Sequence, residues 1–476
     1  MRPALAMTEP LLPLARIATE DTHHEVSLPL TLFFAGILVV MIVCLALEEK
    51  LHAKKSVIVG FFAVLSLLLG AAFDLLPFGA IENSFHEKLH LPVYIPAIDW
   101  SVIAIILGSS LFVDVTSRSG LFTWIAIKLT KASRGDPFRL LVFYGVMTVV
   151  FSAVLNNVTA MIIVGSLTGV SLTKLGRRDK LLGFLLLEGL LTNVGGLLTL
   201  ISSVPNIIVG NAAGISFVEF FLRAFPYVLV TTAVTIFLSA KLFGIRGLKS
   251  EEERNEALRL VDSFDENDGI ESPFFFWFGA GMTLLFVAVI AGASQIPVIK
   301  DLGLGYIALG FATIMLIRYK AIADRFYQAI DWDLLAFFAA LFVVINVMEH
   351  AQVLALIGVG LERVLDLGDL SGAASVLVGA AAFSSVTDNI PLAAMLAKIL
   401  SGLDPEPGMK FWWAVVFGAN LGGNLTPIGS ASTLVAVTIM HKHDVPLSFA
   451  GFVKKSLPFA LVQIFLAVAY VLAFVH

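Results

Sequence analysis

Between two basic clusters the chain reads LLVFYGVMTVVFSAVLNNVTAMIIVGSLTGVSL, residues 140–172. This apolar run is too long for one helical crossing and is broken at its centre by Asn156-Asn157. Lys128, Lys131, Arg134 and Arg139 precede it, and Lys174, Arg177, Arg178 and Lys180 follow it. Lys and Arg accumulate in cytoplasmic loops, so both ends belong on the cytoplasmic side. The run is then either two spans with a minimal external turn or a re-entrant hairpin with the Asn-Asn pair at its tip. The hairpin is the better reading, and a polar turn at that depth requires surrounding protein or an aqueous cavity.

The composition around this stretch agrees with a membrane setting. Of 476 residues, 58% are hydrophobic and 14% charged, against about 45–50% and about 25% in soluble domains. Runs at 28–47, 57–76 and 217–242 carry few charges and have the length that crosses a hydrocarbon core of about 30 Å. Outer-membrane strands alternate in polarity instead, so helices span the bilayer. The first run reads as a retained helix and not a removed signal. The formal charge of −5 with no basic block excludes nucleic acid as a partner. A single cysteine, Cys44, excludes internal disulfides and cysteine-based metal or redox centres.

Charge placement orients the remaining segments. Lys50, Lys54 and Lys55 put the first loop inside and the N-terminus outside. A helix from Trp100 to Thr116 returns to a basic loop spanning Arg118 to Arg139. Residues 247–271 read as a solvated cytoplasmic linker, and Glu362, Asp366 and Asp369 as an acidic external loop. A second apolar hairpin, residues 373–400, turns at Thr387-Asp388-Asn389-Ile390-Pro391.

The two halves align. Ile98-Asp99-Trp100 matches Ile330-Asp331-Trp332, and Phe151-Ser152 with Val154 and Asn157 matches Phe383-Ser384 with Val386 and Asn389, at an offset of 232. Asn193, Gly195-Gly196 and Leu198-Thr199 match Asn420, Gly422-Gly423 and Leu425-Thr426 at 227. The charge rule places Trp100 outside and Trp332 inside, so the repeats are inverted. The expected fold is an all-α polytopic membrane protein of two inverted repeats, each of about five transmembrane helices plus one re-entrant hairpin. Its parts are an N-terminal segment 1–26, a first repeat 27–243, a cytoplasmic linker 244–272 and a second repeat 273–476. Such architectures belong to secondary transporters, with the site at mid-membrane between broken helices.

Four polar breaks meet there. The first tip offers Asn156, Asn157 and Thr159. Asn193, Gly195 and Gly196 are followed by Ser202, Ser203 and Asn206. The second tip offers Thr387, Asp388 and Asn389. Asn420, Gly422, Gly423, Asn424 and Thr426 are followed by Ser430 and Ser432. Gly and Pro free backbone groups, while Asn, Ser and Thr are short neutral ligands. Free carbonyls suit sodium, for which Asp388, Asn389 and Asn420 are candidate ligands, and helix N-termini suit an anion. Intramembrane carboxyls are functional candidates by default. Asp388 is therefore assigned the main proton coupling and Glu188, mid-helix, a second part in it. Asp114 beside Arg118 reads as an interfacial pair, and His441 and His443 as interfacial. No nucleophile, base and oxyanion-donor set is present, so an enzyme is not expected, nor any cofactor beyond sodium or a proton as coupling ion.

At these residues the sequence resembles the citrate-transporter-like group of the ion transporter superfamily, which includes NhaD-type sodium/proton antiporters, ArsB-type arsenite permeases and the pink-eyed-dilution P protein. The resemblance runs from about Leu30 to the end. FSAVLNNVTAMIIV (151–164), the spacing of Glu188 to Gly195-Gly196, and Pro205-Asn206 are similar to the P-protein pattern. Asp388-Asn389-Ile390-Pro391 resembles the NhaD tip, and residues 420–429 the group's second Asn-x-Gly-Gly-Asn signature. The resemblance implies a homodimer in the inner membrane, with a scaffold and a mobile domain carrying both hairpins like an elevator. Dicarboxylate carriers of the superfamily have Ser-Asn-Thr at both tips, which this chain lacks, and that counts against citrate or succinate. Two functions stay open: sodium/proton antiport, or a permease for an oxyanion such as arsenite or for a small organic anion.

Single cysteines in a Cys44→Ser background test the orientation. Gly176→Cys should resist a membrane-impermeant maleimide applied to intact cells, and Met409→Cys should react. Strong outside labelling at position 176 overturns the inverted arrangement.

Overall fold

The computed structural model describes residues 26–78, 81–82, 87–387, 389–403 and 408–475. The first half consists of α1 (Leu28–Ala46), α2 (Lys55–Ala72), α3 (Trp100–Ser117), α4 (Leu121–Ser133), α5 (Pro137–Val154), α6 (Asn157–Lys174), α7 (Leu181–Gly196), α8 (Val204–Ala212) and α9 (Phe217–Leu242). After α10 (Glu251–Asp262) come α11 (Pro273–Gly292), α12 (Pro297–Leu316), α13 (Trp332–His350), α14 (Val353–Leu365), α15 (Asp369–Ser384), α16 (Asn389–Ser401), α17 (Met409–Gly422), α18 (Ala431–Lys442) and α19 (Phe449–Phe474). Strand pairing among the described residues is limited to Ile81–Glu82 with Lys88–Leu89. Among those residues nine helices are long and apolar enough to cross a membrane: α1, α2, α3, α5, α9, α11, α12, α13 and α19.

Local devices recur between the halves. Asp99 and Asp331 cap α3 and α13, accepting from backbone N–H groups of the first turn. The indoles of Trp100 and Trp332 donate to carbonyls five residues back, at 3.1 and 2.8 Å. Gly120 and Gln352 both take positive φ ahead of α4 and α14. Ser216 and Ser448 cap α9 and α19, each of which contains one proline, Pro226 or Pro458. Packing recurs as well. Helix α2 lies on α13 and α3 on α12. Helices α5 and α6 pack on α7, as α15 and α16 pack on α17, while α18 crosses to α6 and α7 and α8 crosses to α16 and α17.

Two expected loops are helices. The basic segment after α3 forms α4, and the acidic segment after α13 forms α14. Each charged run has an apolar face, Leu121, Phe122, Ala126 and Ile127 in α4 and Val353, Leu354 and Gly358 in α14, which is buried. Charge frequency alone hid that periodicity.

The linker also departs from a solvated run. Although α10 exposes its glutamates, Ala257, Val261 and Phe264 are buried. Asp136 Oδ2 accepts from the Leu248 N–H at 2.8 Å, and Lys174 Nζ lies 4.7 Å from the Phe264 ring centre. Glu266 pairs with Lys128 at 2.6 Å and with Lys131. The hydrogen bonds from Lys128 and Lys131 hold its carboxyl down to about 2. Its folded value is depressed, so the clamp contributes fully above about 4.5 and is lost as pH falls through about 2. Amide protection of α10 should therefore stay constant between about pH 5 and 8 and fall a few-fold in Glu266→Gln at neutral pH, an exposed pair being weak. Unchanged protection in that variant removes the clamp from the account.

Candidate functional site

Helix α7 is buried along its length except at Leu182, the position that a helix at the centre of the body occupies. It stops at Gly195-Gly196. A side chain at Gly195 would meet the Val149 backbone at 2.7 Å, and one at Gly196 would meet Asn157 Oδ1 at 2.6 Å. The glycines thus let the first hairpin seat directly on the break. Ser152 Oγ lies 2.6 Å from the Thr192 carbonyl oxygen and 2.7 Å from Asn157 Oδ1, its one proton serving these two acceptors. Asn157 Nδ2 then donates to Asn193 Oδ1 at 3.3 Å, and Thr199 Oγ1 to the Ala153 carbonyl at 2.6 Å.

The second break repeats the geometry. Ser384 Oγ donates to the Ala419 carbonyl at 2.6 Å, and Thr426 Oγ1 to the Ser385 carbonyl at 2.5 Å. A side chain at Gly422 would strike the Ala381 carbonyl, and one at Gly423 would meet Ser430 Cβ at 2.7 Å.

The breaks also cross. Asn193 Nδ2 donates to Asn424 Oδ1 at 2.8 Å and to Ser430 Oγ at 3.0 Å, and Ser432 Oγ donates to Asn193 Oδ1 at 3.1 Å. In the mirrored pair, Ser203 Oγ donates to Asn420 Oδ1 at 2.7 Å and Asn420 Nδ2 to Asn206 Oδ1 at 2.9 Å. The carbonyls freed after α7 are recovered by Asn206, at 2.6 Å to Gly196 and 2.9 Å to Thr199. Ser202 Oγ adds 2.5 and 2.8 Å contacts to the same two carbonyls.

Not every expected residue joins this network. Asn156 is exposed and caps α6 by accepting from the Thr159 N–H at 2.8 Å. Thr387 bonds back to the Phe383 carbonyl at 2.9 Å, and Asn389 is buried at the start of α16. Asp388 lies outside the described residues. A cleft of about 200 Å³ reaches Val386 and Thr387 from Leu45, Glu48, Lys50 and Lys55. Asp114 forms no ion pair with Arg118, whose guanidinium stands 5.8 Å from the Phe326 ring centre, and Asp114 Oδ2 is buried without a hydrogen-bond partner. Glu188 is fully buried, its Oε1 accepting from Thr168 Oγ1 at 2.5 Å while Oε2 has no hydrogen-bond partner among the described residues.

Gln463 was missed by sequence reasoning. Its Oε1 accepts from Asn424 Nδ2 at 2.8 Å and its Nε2 donates to Thr235 Oγ1 at 3.1 Å, tying α19 to α9 and to the second break. The available signal was an uncharged polar residue within an otherwise apolar span.

Paired helix breaks inside an all-helical, multi-pass body define a secondary transporter or permease of the cell membrane. A profile of the citrate transporter family matches residues 42–418, and the chain belongs to that family. The uncharacterized transporter Mb2703 of Mycobacterium bovis is 30% identical over 382 residues, covering 78% of this chain and 86% of that one. The human P protein is 24% identical over 511 residues, covering 90% of this chain and 60% of its own. Among solved structures, the YdaH transporter of Alcanivorax borkumensis has a TM-score of 0.58 at 15% identity, covering 88% of this chain and 98% of its own. MtrF of Neisseria gonorrhoeae, from a class of antimetabolite efflux pumps, has a TM-score of 0.55 at 13% identity, covering 93% and 97%. These two share the fold.

The close approaches make a stability prediction. Gly195→Ala and Gly422→Ala should each lower stability in detergent by about 1–3 kcal/mol through overpacking. Gly36→Ala, with open space around it, should not. Equal melting temperatures for all three would refute the seating of the hairpins on the breaks.

Proposed function

We propose that the chain is an ion-coupled secondary transporter exchanging sodium for protons by elevator-type alternating access. One observation carries the preference for a cation: the crossed breaks are lined by neutral amide and hydroxyl oxygens, and the buried ionisable group on the same helix is a carboxyl, Glu188. Asp388, next in sequence to Thr387, is the other carboxyl assigned to coupling. A carboxylate holds either a proton or sodium, and that competition couples the two. Asp388 takes the main part in proton coupling and Glu188 a second part, with Asp388, Asn389 and Asn420 as sodium ligands.

The recurrent caps and reciprocal helix pairs support two inverted repeats, 27–243 and 273–476, around a linker at 244–272. Few contacts join α1, α2, α3, α11, α12 and α13 to the hairpin-bearing helices, which supports a scaffold and a moving body, with a homodimer formed through the scaffold. A second reading rests on a different observation. Helices α6, α8, α16 and α18 all begin at the breaks, and their N-terminal N–H groups favour an oxyanion or small organic anion.

Proteoliposomes with an internal pH dye separate the two. Under antiport, external sodium alkalinises the lumen without added anion, and Asp388→Asn and Glu188→Gln each cut the response at least about tenfold, as loss of a positioned proton-transfer group does. Silence to sodium with uptake of arsenite or a carboxylate establishes the anion reading instead.

A further inference from the structure

We propose that the cavity between the start of α5, the turn after α6 and the segment following α9 binds a phosphate-bearing anion, at the level where the headgroup of an anionic phospholipid lies. The cavity holds about 350 Å³, and its lining brings together Arg177, Lys180, Arg246 and Lys249. Pro137 opens α5, Gly244 follows shortly after the end of α9, and both helices are long and apolar enough to cross a membrane. The cavity therefore opens beside the ends of two spans, on the side where Lys and Arg accumulate. Basic pockets between spans at that level take phospholipid headgroups.

Two stretches of chain converge there. After α9, Gly244 takes a φ of +59°, a left-handed turn that redirects the chain. Ile245 and Leu248 are then buried, which leaves Arg246 and Lys249 exposed at the cavity. The backbone of this stretch is pinned: Asp136 Oδ2 accepts from the Leu248 N–H, and Arg254 donates to the Leu248 carbonyl from Nε and Nη2, at 3.2 and 3.1 Å. A side chain at Gly247 would lie 3.0 Å from Asp136 Oδ2. The other stretch is the short 3₁₀ turn Arg178–Lys180. It is flanked by buried Leu175 and Leu181, and it presents half-buried Arg177 and Lys180 to the cavity.

These cations lack a matching charge. Lys180 pairs with Asp179 at 3.2 Å. Arg177, Arg246 and Lys249 form no ion pair among the described residues, and Glu253, which shares the lining, forms none either. Four cations thus stand around one cavity with a single carboxylate in its lining. A ligand of opposite charge relieves their mutual repulsion, and two of the four are guanidinium groups, whose planar forks match phosphate oxygens. Ser250 Oγ, also in the lining, accepts from the Glu252 N–H at 3.2 Å and keeps its own proton for the ligand.

The charge rule asks for basic residues on this side but not for their convergence. Lys320 and Arg325, after α12, satisfy it as exposed side chains of one continuous stretch. Here residues from before α7 and after α9 meet instead, around a backbone held by the cap of α5. A bound phosphate joins the turn before α7 to the segment that leads into α10.

Native mass spectrometry of the full chain in detergent reads lipid retention. The wild type should retain dioleoyl phosphatidic acid at a concentration at least about tenfold lower than dioleoyl phosphatidylcholine. Arg246→Gln combined with Lys249→Gln should weaken that retention about tenfold or more, since each basic residue near a membrane surface is worth about fivefold. Both side chains are exposed, so the melting temperature should hold. Arg177→Gln is an independent second variant and should cost about fivefold. Lys320→Gln combined with Arg325→Gln should leave retention unchanged. Calorimetry with inorganic phosphate against chloride at equal ionic strength distinguishes the sources. Selective lipid retention without heat from phosphate assigns the site to a headgroup, whereas phosphate heat that the variant at 246 and 249 abolishes assigns it to a soluble phosphate. Equal retention of the two lipids with no phosphate heat overturns the site. So does wild-type binding in the variant at 246 and 249, or an equal loss in the variant at 320 and 325.

Discussion

Two helices, α7 and α17, stop in the middle of an apolar body, and the backbone groups that lose their helical partners there have to be paired again. In hydrocarbon or dry protein an unpaired carbonyl or N–H costs several kcal/mol, and water is not at hand to take the bond. The protein meets that demand with short polar side chains. Asn206 and Ser202 recover the carbonyls after α7, and Thr433 reaches the Pro427 carbonyl at 3.1 Å after α17. Asn193 and Asn420 extend the solution across the molecule, each bonded to the serine that begins the other half's short helix. Each half pairs its own freed carbonyls, and these side-chain bonds between Asn193, Asn420 and the opposite half's serines join the two breaks.

The same demand fixes what stands beside the breaks. Two hairpins lie on them at distances only glycine permits, and Thr199 and Thr426 tie each break to a carbonyl near its hairpin's turn. The side chains that meet at the breaks, Asn193, Asn420, Asn424, Ser203 and Ser430, are neutral. Glu188 therefore holds a singular position: every other residue on its stretch of α7 is apolar or uncharged.

Local structure recurs between the halves and differs around that carboxyl. Caps, indole contacts and helix pairs recur with little change, since each answers a local requirement of helix starts and packing. At the aligned positions the hydroxyls of Tyr144, Thr168 and Ser171 occur in the first half alone, and the segment after α10 docks on that half, Glu266 on Lys128 and Lys131 and Phe264 on Lys174. The distinctive chemistry and the linker therefore lie on the same side of the molecule.

Hydropathy and charge in the sequence determined the membrane class and the polar interruptions at residues 193–196 and 420–423 where α7 and α17 end, because burial in lipid demands long apolar runs and tolerates polar interruptions only at special sites. Asn193, Asn420, Ser203 and Ser430 were legible for that reason. The helices α4, α10 and α14 were not, because a charged amphipathic segment differs from a solvated loop only once something packs on its apolar face. The tertiary structure alone decided which residues meet. That Asn193 bonds Ser430 and not Ser203, that Gln463 joins Asn424 to Thr235, and that Glu188 meets Thr168 depend on the crossing of distant helices, and a pattern along one chain carries no record of which buried donor faces which acceptor.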